Sequence, residues 1–299
     1  MTATTTEDRY PTRTASESPL LPRTDPVVWR GNADGPIAPA TLESYDEKGF
    51  LTVDALLSPD EVLAYRQELA QLKADDAVRA DERTIIEKKS NDVRSIFEVH
   101  RTSEMIAALA ADSRVANRAR QILGSDVYLH QSRVNFMPGF TGTGFYWHSD
   151  FETWHAEDGM PLMRAVSISI ALTDNHAYNG GLMLMPGAHR TFVPCTGETP
   201  DDHYKESLKE QEIGVPSRAH LTALAAEHGI DQFTGSAGAA LMFDCNSMHG
   251  SGSNITPFAR SNIFLVFNSV ENTLAEPFAS AKPRPDFVAS RDFEPVARR

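Results

Sequence analysis

Cysteine is nearly absent from this sequence: among 299 residues there are two, Cys195 and Cys245. Two thiols so placed give neither a disulfide framework nor a zinc-ribbon spacing, and the expectation is a protein of a reducing cytoplasm. No apolar run approaches the roughly 18 residues of a membrane span. Residues 1–17 are rich in Thr, Ser and charge and lack an apolar centre, so no secretory signal is read there. Basic residues are in deficit. With 28 Lys and Arg against 41 Asp and Glu the net charge is −13, which argues against nucleic-acid binding, because a phosphate backbone needs a basic face.

What is present is enough for an ordinary core, with 41% hydrophobic and 23% charged residues. Residues 1–25 are expected to be a mobile tail and residues 26–299 a single domain. The first third reads as helical. Ser58-Pro59-Asp60-Glu61 combines an N-cap, a proline at the first helical position and a capping-box glutamate, and Val62, Tyr65, Leu69 and Leu72 follow at helical spacing. A second helix is expected from about Ser103 to Leu123, stopping at Gly124. From Val127 the texture changes to short β-rich runs: 127–136, 166–170, 182–185, 239–243 and 262–267. Val166-Ser167-Ile168-Ser169-Ile170 alternates as a half-buried strand would. Many strands at turn-punctuated intervals predict an antiparallel sandwich or barrel. Residues 195–235, polar and broken by Gly and Pro, read as an insertion that serves as a lid.

A non-haem iron oxygenase holds its metal by three protein ligands on one face of an octahedron and leaves the other positions open. His148-Ser149-Asp150 supplies the His-X-Asp pair of such a site, and His249 follows 101 positions after His148, just past the run 239–243. The pair alone is weak evidence: with 41 acidic residues and ten histidines about one His-X-Asp/Glu arises by chance, and His155-Ala156-Glu157 is such a second match. The surroundings strengthen the first. His148 ends an aromatic segment, Phe145-Tyr146-Trp147-His148, and eleven positions beyond His249 stands Arg260, opening an apolar strand. An arginine there needs an anion. The cosubstrate 2-oxoglutarate, which chelates iron through its keto oxygen and one carboxylate, has a distal carboxylate that a guanidinium fork would take.

His148-X-Asp150, His249, Arg260 and Pro186-Gly187-Ala188-His189 together resemble the phytanoyl-CoA dioxygenase superfamily. The block Phe145-Tyr146-Trp147-His148-Ser149-Asp150-Phe151-Glu152-Thr153-Trp154-His155-Ala156-Glu157-Asp158-Gly159-Met160-Pro161 is similar, more narrowly, to the signature segment of the bacterial ectoine hydroxylases, a branch that converts the osmolyte ectoine to 5-hydroxyectoine in the response to stress. The likeness spans about residues 25–288. It implies a mainly β fold, a double-stranded β-helix or cupin-like jelly roll with flanking helices. It also implies a homodimer that uses iron(II), 2-oxoglutarate and molecular oxygen. His148, Asp150 and His249 would then be the catalytic metal ligands. The 2-oxoglutarate contacts would fall on Phe97, Asn135, Ser167, Ser251 and Arg260, and the ectoine contacts on Gln131, Arg133, Trp154, Phe243, Asn262 and Phe264.

Alternation supports part of this independently. Gln131, Arg133 and Asn135 share one face of a strand, as do Arg260, Asn262 and Phe264. Such polar faces suit a barrel interior that binds a polar ligand. Ectoine is a small ring bearing a delocalised amidinium and a carboxylate. Trp154, Phe243 and Phe264 would wall its cation, and Arg133 and Gln131 would take its carboxylate. Two other readings stay open at this point: the same iron chemistry on another small zwitterion such as an amino acid, and a non-enzymatic β-barrel binding module. Arg260 weighs against the second, because a binder has no need of a 2-oxoglutarate anchor.

Overall fold

The computed structural model describes residues 8–30, 34–87, 91–208 and 213–298. Its strands are β1 (Leu21–Pro22), β2 (Phe50–Val53), β3 (Thr84–Ile86), β4 (Val93–Phe97), β5 (Val127–Met137), β6 (Phe145–His148), β7 (Ala165–Ala171), β8 (Leu182–Leu184), β9 (Thr191–Phe192), β10 (Asp231–Gln232), β11 (Ala240–Asp244), β12 (His249–Ser251) and β13 (Arg260–Ser269). Seven form one antiparallel sheet in the order β2-β11-β7-β13-β5-β4-β3. Four form a second in the order β10-β8-β12-β6, and β1 pairs with β9. The result is the expected jelly roll with flanking helices. No helix among the described residues is long and apolar enough to cross a membrane.

The large sheet is buried on both faces, and this corrects one expectation. β7 is not half-exposed: all seven of its residues are buried. Its alternation separates two interiors. Val166, Ile168 and Ile170 join Val134, Ile263, Leu265 and Phe267 in a core that includes Ile106, Leu109, Val115, Ala116, Ala119 and Ile122 of the overlying helices. The serines between them face the space between the two sheets, where Ser169 Oγ accepts from Asn262 Nδ2 at 2.8 Å. Serine on an inward face can be satisfied by another polar side chain, so a polar position in the pattern did not mean solvent.

The helix Pro59–Ala74 forms as expected, with its capping box closed by Ser58 N to Glu61 Oε2 (2.7 Å) and Glu61 N to Ser58 Oγ (3.3 Å). The expected helix over 103–123 is two helices, Glu104–Ala111 and Ser113–Leu123. Asp112 between them is extended (φ −61°, ψ 132°) and its carboxylate accepts from Arg114 N at 2.7 Å, so it caps the second helix and cannot continue the first. The second helix ends at Gly124, as expected, in the left-handed conformation (φ 61°).

Residues 8–25, set aside from the sequence as a mobile tail, are instead packed onto the domain. Tyr10 is buried against Phe151 and Phe192, with ring centroids 5.3 and 5.2 Å apart, and Leu21–Pro22 pairs with Thr191–Phe192. The stretch expected as an insertion carries short helices at Tyr204–Ser207 and Arg218–His228 and ends sooner than expected, because Asp231–Gln232 is already the edge strand of the smaller sheet. Residues 1–7 of the tail and 209–212 of the insertion lie outside the described residues.

Candidate active site

Strand register brings the metal-ligand candidates together. β6 and β12 are antiparallel, and His148 sits directly opposite His249. Opposed residues in such a pair project to the same face, so the two imidazoles meet, with ring centroids 4.2 Å apart. The register shifts between His249 and Ser251, which leaves β6 one residue longer than its partner, a bulge of the kind that re-aims a side chain beside a site. Asp150 follows two residues after His148. Ser149 is extended and ties to Asn246 Oδ1 (2.9 Å), and Phe151 N donates to Cys245 O (2.8 Å). These bonds start a short helix at Asp150 and turn its carboxylate toward the histidines.

One ligand atom from each of His148, Asp150 and His249 can be chosen so that all three lie within 4.8 Å of one another. Asp150 Oδ1 is 3.7 Å from His148 Nε2 and 3.9 Å from His249 Nε2. Each histidine donates from Nδ1 to a backbone carbonyl, His148 to Tyr146 O (2.7 Å) and His249 to Ser247 O (2.9 Å). That bond fixes the tautomer and leaves the Nε2 lone pair free to bind a cation. Burial pushes the His249 imidazole down to about 4, with His148 adding to the effect. Burial would also keep Asp150 protonated, but the neighbouring His249, His148 and Arg133 outweigh it and hold its carboxyl below the ordinary range. Two imidazoles and one carboxylate on one face suit iron(II).

Beside this face lies a cavity whose far wall is the inner surface of the large sheet. The register of β4, β5 and β13 sets Asn135 between Ser95 and Asn262, and Arg133 between Phe97 and Phe264. Twelve of the fourteen residues singled out from the sequence line this cavity. Gln131 is held by a bond to Val288 O (2.6 Å), Asn135 accepts from Ser95 Oγ (2.7 Å), and Ser251 Oγ accepts from Phe145 N (3.1 Å). Trp154 is 3% exposed and meets His130 edge-on at 4.9 Å. The other two stand one layer back. Ser167 donates to Asp150 Oδ2 (3.3 Å), and Phe243 lies 4.9 Å from the His249 ring, so both touch the ligands and not the cavity.

Two arginines in the cavity have no carboxylate within 4.0 Å among the described residues. Arg260 is 8% exposed; its Nη2 rests 3.8 Å from the Met137 sulfur and its Nε has no hydrogen-bond partner. Burial alone brings its guanidinium down to about 10. Arg133 lies over the rings of Phe264 (4.9 Å) and Phe97 (5.8 Å), and its Nε is likewise unpartnered. Elsewhere in the fold buried arginines are paired: Arg23 with Asp244, Arg284 with Asp158. An unpaired buried guanidinium is costly, and two in one cavity mark positions for anionic ligand groups.

Sequence reasoning missed several lining residues. Arg284, Glu157 and His203 reach the cavity from the chain after β13, from the turn after Trp154 and from the expected lid. Glu157 and Thr153 belong to the signature block and could have been singled out with Trp154; Arg284 and His203 carry no local signal. The second His-X-acid match is structural. His155 is fully buried, stacked on Phe278 (4.0 Å), and bonded to Met160 O (2.8 Å) and Asp8 (2.9 Å). Its turn closes at Gly159 (φ 80°), where any Cβ would stand 2.3 Å from Ala275 O.

A jelly roll that presents His-X-Asp and a distal His beside a buried unpaired arginine defines a class, the iron(II)- and 2-oxoglutarate-dependent oxygenases. The family model for phytanoyl-CoA dioxygenase matches residues 45–262. The ectoine dioxygenase of Nocardia farcinica is 63% identical over 289 residues, covering 97% of this chain and 95% of that protein. The crystal structure of EctD from S. alaskensis with 2-oxoglutarate and 5-hydroxyectoine superposes with a TM-score of 0.86 at 46% identity and 95% coverage of both chains. The structure of EctD from S. alaskensis with bound Fe gives 0.87 at 44% identity and 98% coverage of both. The chain belongs to the phytanoyl-CoA dioxygenase family.

Proposed function

We propose that this protein hydroxylates ectoine to 5-hydroxyectoine, using iron(II), 2-oxoglutarate and molecular oxygen, and that it acts in the cytoplasm as a homodimer that supplies a compatible solute under osmotic stress. The observation that carries the reading is the pairing of a His148-Asp150-His249 face with two unpartnered arginines in one cavity. It is supported by relatives 50–63% identical over nearly the whole chain that are named ectoine dioxygenases. Iron(II) bound there supplies oxygen activation coupled to oxidative decarboxylation of 2-oxoglutarate to succinate and carbon dioxide.

The chain's own residues divide the cavity between two ligands. Arg260 takes the distal carboxylate of 2-oxoglutarate, with Asn135, Ser251 and Phe97 around the cosubstrate. Arg133 takes the carboxylate of ectoine, held in place by the rings on which it lies, and Gln131 and Asn262 supply further polar contacts. Trp154 and Phe264 wall the amidinium ring. Ser167 and Phe243 act at one remove, orienting Asp150 and His249. No general base is needed for such a reaction. What the protein contributes is aim and the exclusion of water.

The test is ectoine-dependent release of succinate by the iron-loaded protein. Trp154 gives a sharper form of it. Its indole belongs both to a core cluster with Tyr10 and Phe151 and to the cavity wall, so Trp154→Ala is expected to lower the melting temperature, a loss of about 3–5 kcal/mol. It is also expected to uncouple turnover, because a badly aimed ring leaves 2-oxoglutarate consumed without product. A stability loss with an unchanged product-to-succinate ratio would leave Trp154 a core residue alone. Residues 195–208 and 213–230, which bring His203, Leu208 and Ile213 to the cavity, act as the lid. Hydrogen exchange across them is expected to slow when 2-oxoglutarate and ectoine are added; equal exchange in both states would remove the lid.

A further inference from the structure

The segment that the sequence reads as a tail is wired into the site. Arg13 is a buried side chain, 1% exposed, in a left-handed backbone conformation (φ 55°) that bulky residues rarely adopt. Its guanidinium forks onto Glu152, Nε to Oε1 at 2.7 Å and Nη2 to Oε2 at 3.0 Å, and Nη2 also reaches Glu157 Oε1 at 3.1 Å. Glu152 and Glu157 flank Trp154 on the turn that begins with Asp150. The cation therefore clamps both sides of the residue that walls the substrate half of the cavity.

The same segment holds the lid at two places. At its start, Cys195 N donates to Thr12 Oγ1 (3.0 Å), Thr14 N donates to Cys195 O (3.2 Å), and Gly197 N donates to Thr14 O (3.1 Å). Arg13 Nη1 also reaches Thr199 Oγ1 at 3.4 Å. At its far side, Glu17 accepts from Ser217 Oγ (2.5 Å) and lies 3.3 Å from His220 Nε2, at the start of the helix Arg218–His228. Between them Gly214 passes so close over the clamp that a Cβ there would stand 2.5 Å from Arg13 Nη2 and 2.8 Å from Glu152 Oε2. Its neighbour Ile213 lines the cavity. Thr12, Arg13, Thr14 and Glu17 thus touch the Trp154 turn, the start of the covering segment and the start of its helix Arg218–His228. No hydrogen bond or ion pair joins these four to Arg260, Asn135 or Ser251 among the described residues.

We propose that residues 12–17 are a strap that holds the lid and the Trp154 turn together over the substrate, with Arg13 its positioning residue. Arg13 touches no reacting atom. It sets where Trp154 stands and how long the lid stays shut. The proposal rests on the function proposed above for its kinetic consequences but not for its structural one.

The test compares the full-length protein with Arg13→Ala, Arg13→Lys and Glu17→Ala, measuring melting temperature, iron content, KM for each substrate, product per succinate, and hydrogen exchange over 195–208 and 213–229. For Arg13→Ala the KM for ectoine is expected to rise about tenfold or more, while the KM for 2-oxoglutarate and iron content stay within about twofold. Product per succinate is expected to fall to about half or less, because a loosened wall aims the substrate badly. Arg13→Lys, which keeps the charge but not the fork, should fall between. Glu17 is a surface residue whose loss does not threaten the core, so Glu17→Ala carries the test if Arg13→Ala does not fold: exchange over 213–229 should speed up and the KM for ectoine rise about threefold. Equal losses in both half-sites with coupling unchanged, or a Glu17→Ala protein identical to wild type in exchange and KM, would overturn the strap. If wild type does not turn over ectoine at all, the functional reading fails by itself, and faster lid exchange in the variants still decides the strap.

Discussion

Replacing His148 or Asp150 by alanine is expected to leave a folded chain that binds no iron and shows no turnover above background. The site has three protein donors on one face, and no fourth His, Cys, Asp or Glu among the described residues joins that cluster. A facial triad that loses one member offers two donors and no way to recover the third. Survival of the fold follows from what the ligands do not do. Asp150 is bonded within the site, to Ser167 and the histidines, and His148 is partly exposed on a short strand, so neither carries the apolar core. Metal analysis together with a melting curve checks both halves. Stoichiometric iron and normal activity in either variant would remove these residues from the metal site; a chain that fails to fold would mean that the triad is structural.

The second large effect is expected at Arg260. In Arg260→Leu, binding of 2-oxoglutarate should weaken by about 2–4 kcal/mol, the worth of a charge-assisted fork in a buried setting, which is about 30- to 1,000-fold in affinity. The stability of the ligand-free protein should move the other way or stay level. Arg260 is buried without an anion, so the leucine removes an uncompensated charge and fills the same space with apolar surface. This opposition of signs separates an anchor from a structural ion pair, whose loss would lower stability and leave 2-oxoglutarate affinity alone. Ligand titration and thermal melting without ligand are the two measurements. Unchanged affinity would refute the anchor.

The parts of this site that could be read from the sequence are those fixed by chain-local rules. Period-two alternation put Gln131, Arg133 and Asn135 on one face, and Arg260, Asn262 and Phe264 on one face. Pairing of β5 with β13 makes these the same face of the same sheet. His148 and Asp150 were legible because two positions of spacing at a strand end place both ligands at one mouth. The register that sets His249 opposite His148 was not legible, since pairing partners are chosen by the whole fold. The strap was misread for a related reason. Residues 8–17 hold few apolar side chains, so composition assigns them to solvent, yet Tyr10 and Arg13 find partners more than a hundred positions away in Phe151, Glu152 and Glu157. The break at Asp112 was hidden because the apolar periodicity runs through it. The helix Pro39–Lys48 was missed even though it opens on a proline and closes at Gly49, because its buried face amounts to Leu42 and Tyr45.

The proposed use of the cavity also accounts for features that stability alone does not favour. A fold under no other demand would pair Arg133 and Arg260 with the acids it has in surplus, 41 against 28 bases. It pairs Arg23, Arg284 and Arg13 in that way and leaves these two facing a cavity beside the metal ligands. Two anionic ligand groups, one for each arginine, resolve that cost: the distal carboxylate of 2-oxoglutarate and the carboxylate of a zwitterionic substrate.

The most direct test of that account is the stoichiometry of one reaction. Purified protein reconstituted with iron(II) under air is given 2-oxoglutarate, with and without ectoine, and succinate and hydroxylated ectoine are quantified by mass spectrometry. The account predicts succinate release that depends on ectoine, with about one 5-hydroxyectoine formed for each succinate, and loss of both products when iron is withheld. Succinate release that ectoine does not stimulate, or that another small zwitterion stimulates while ectoine stays unmodified, would contradict it.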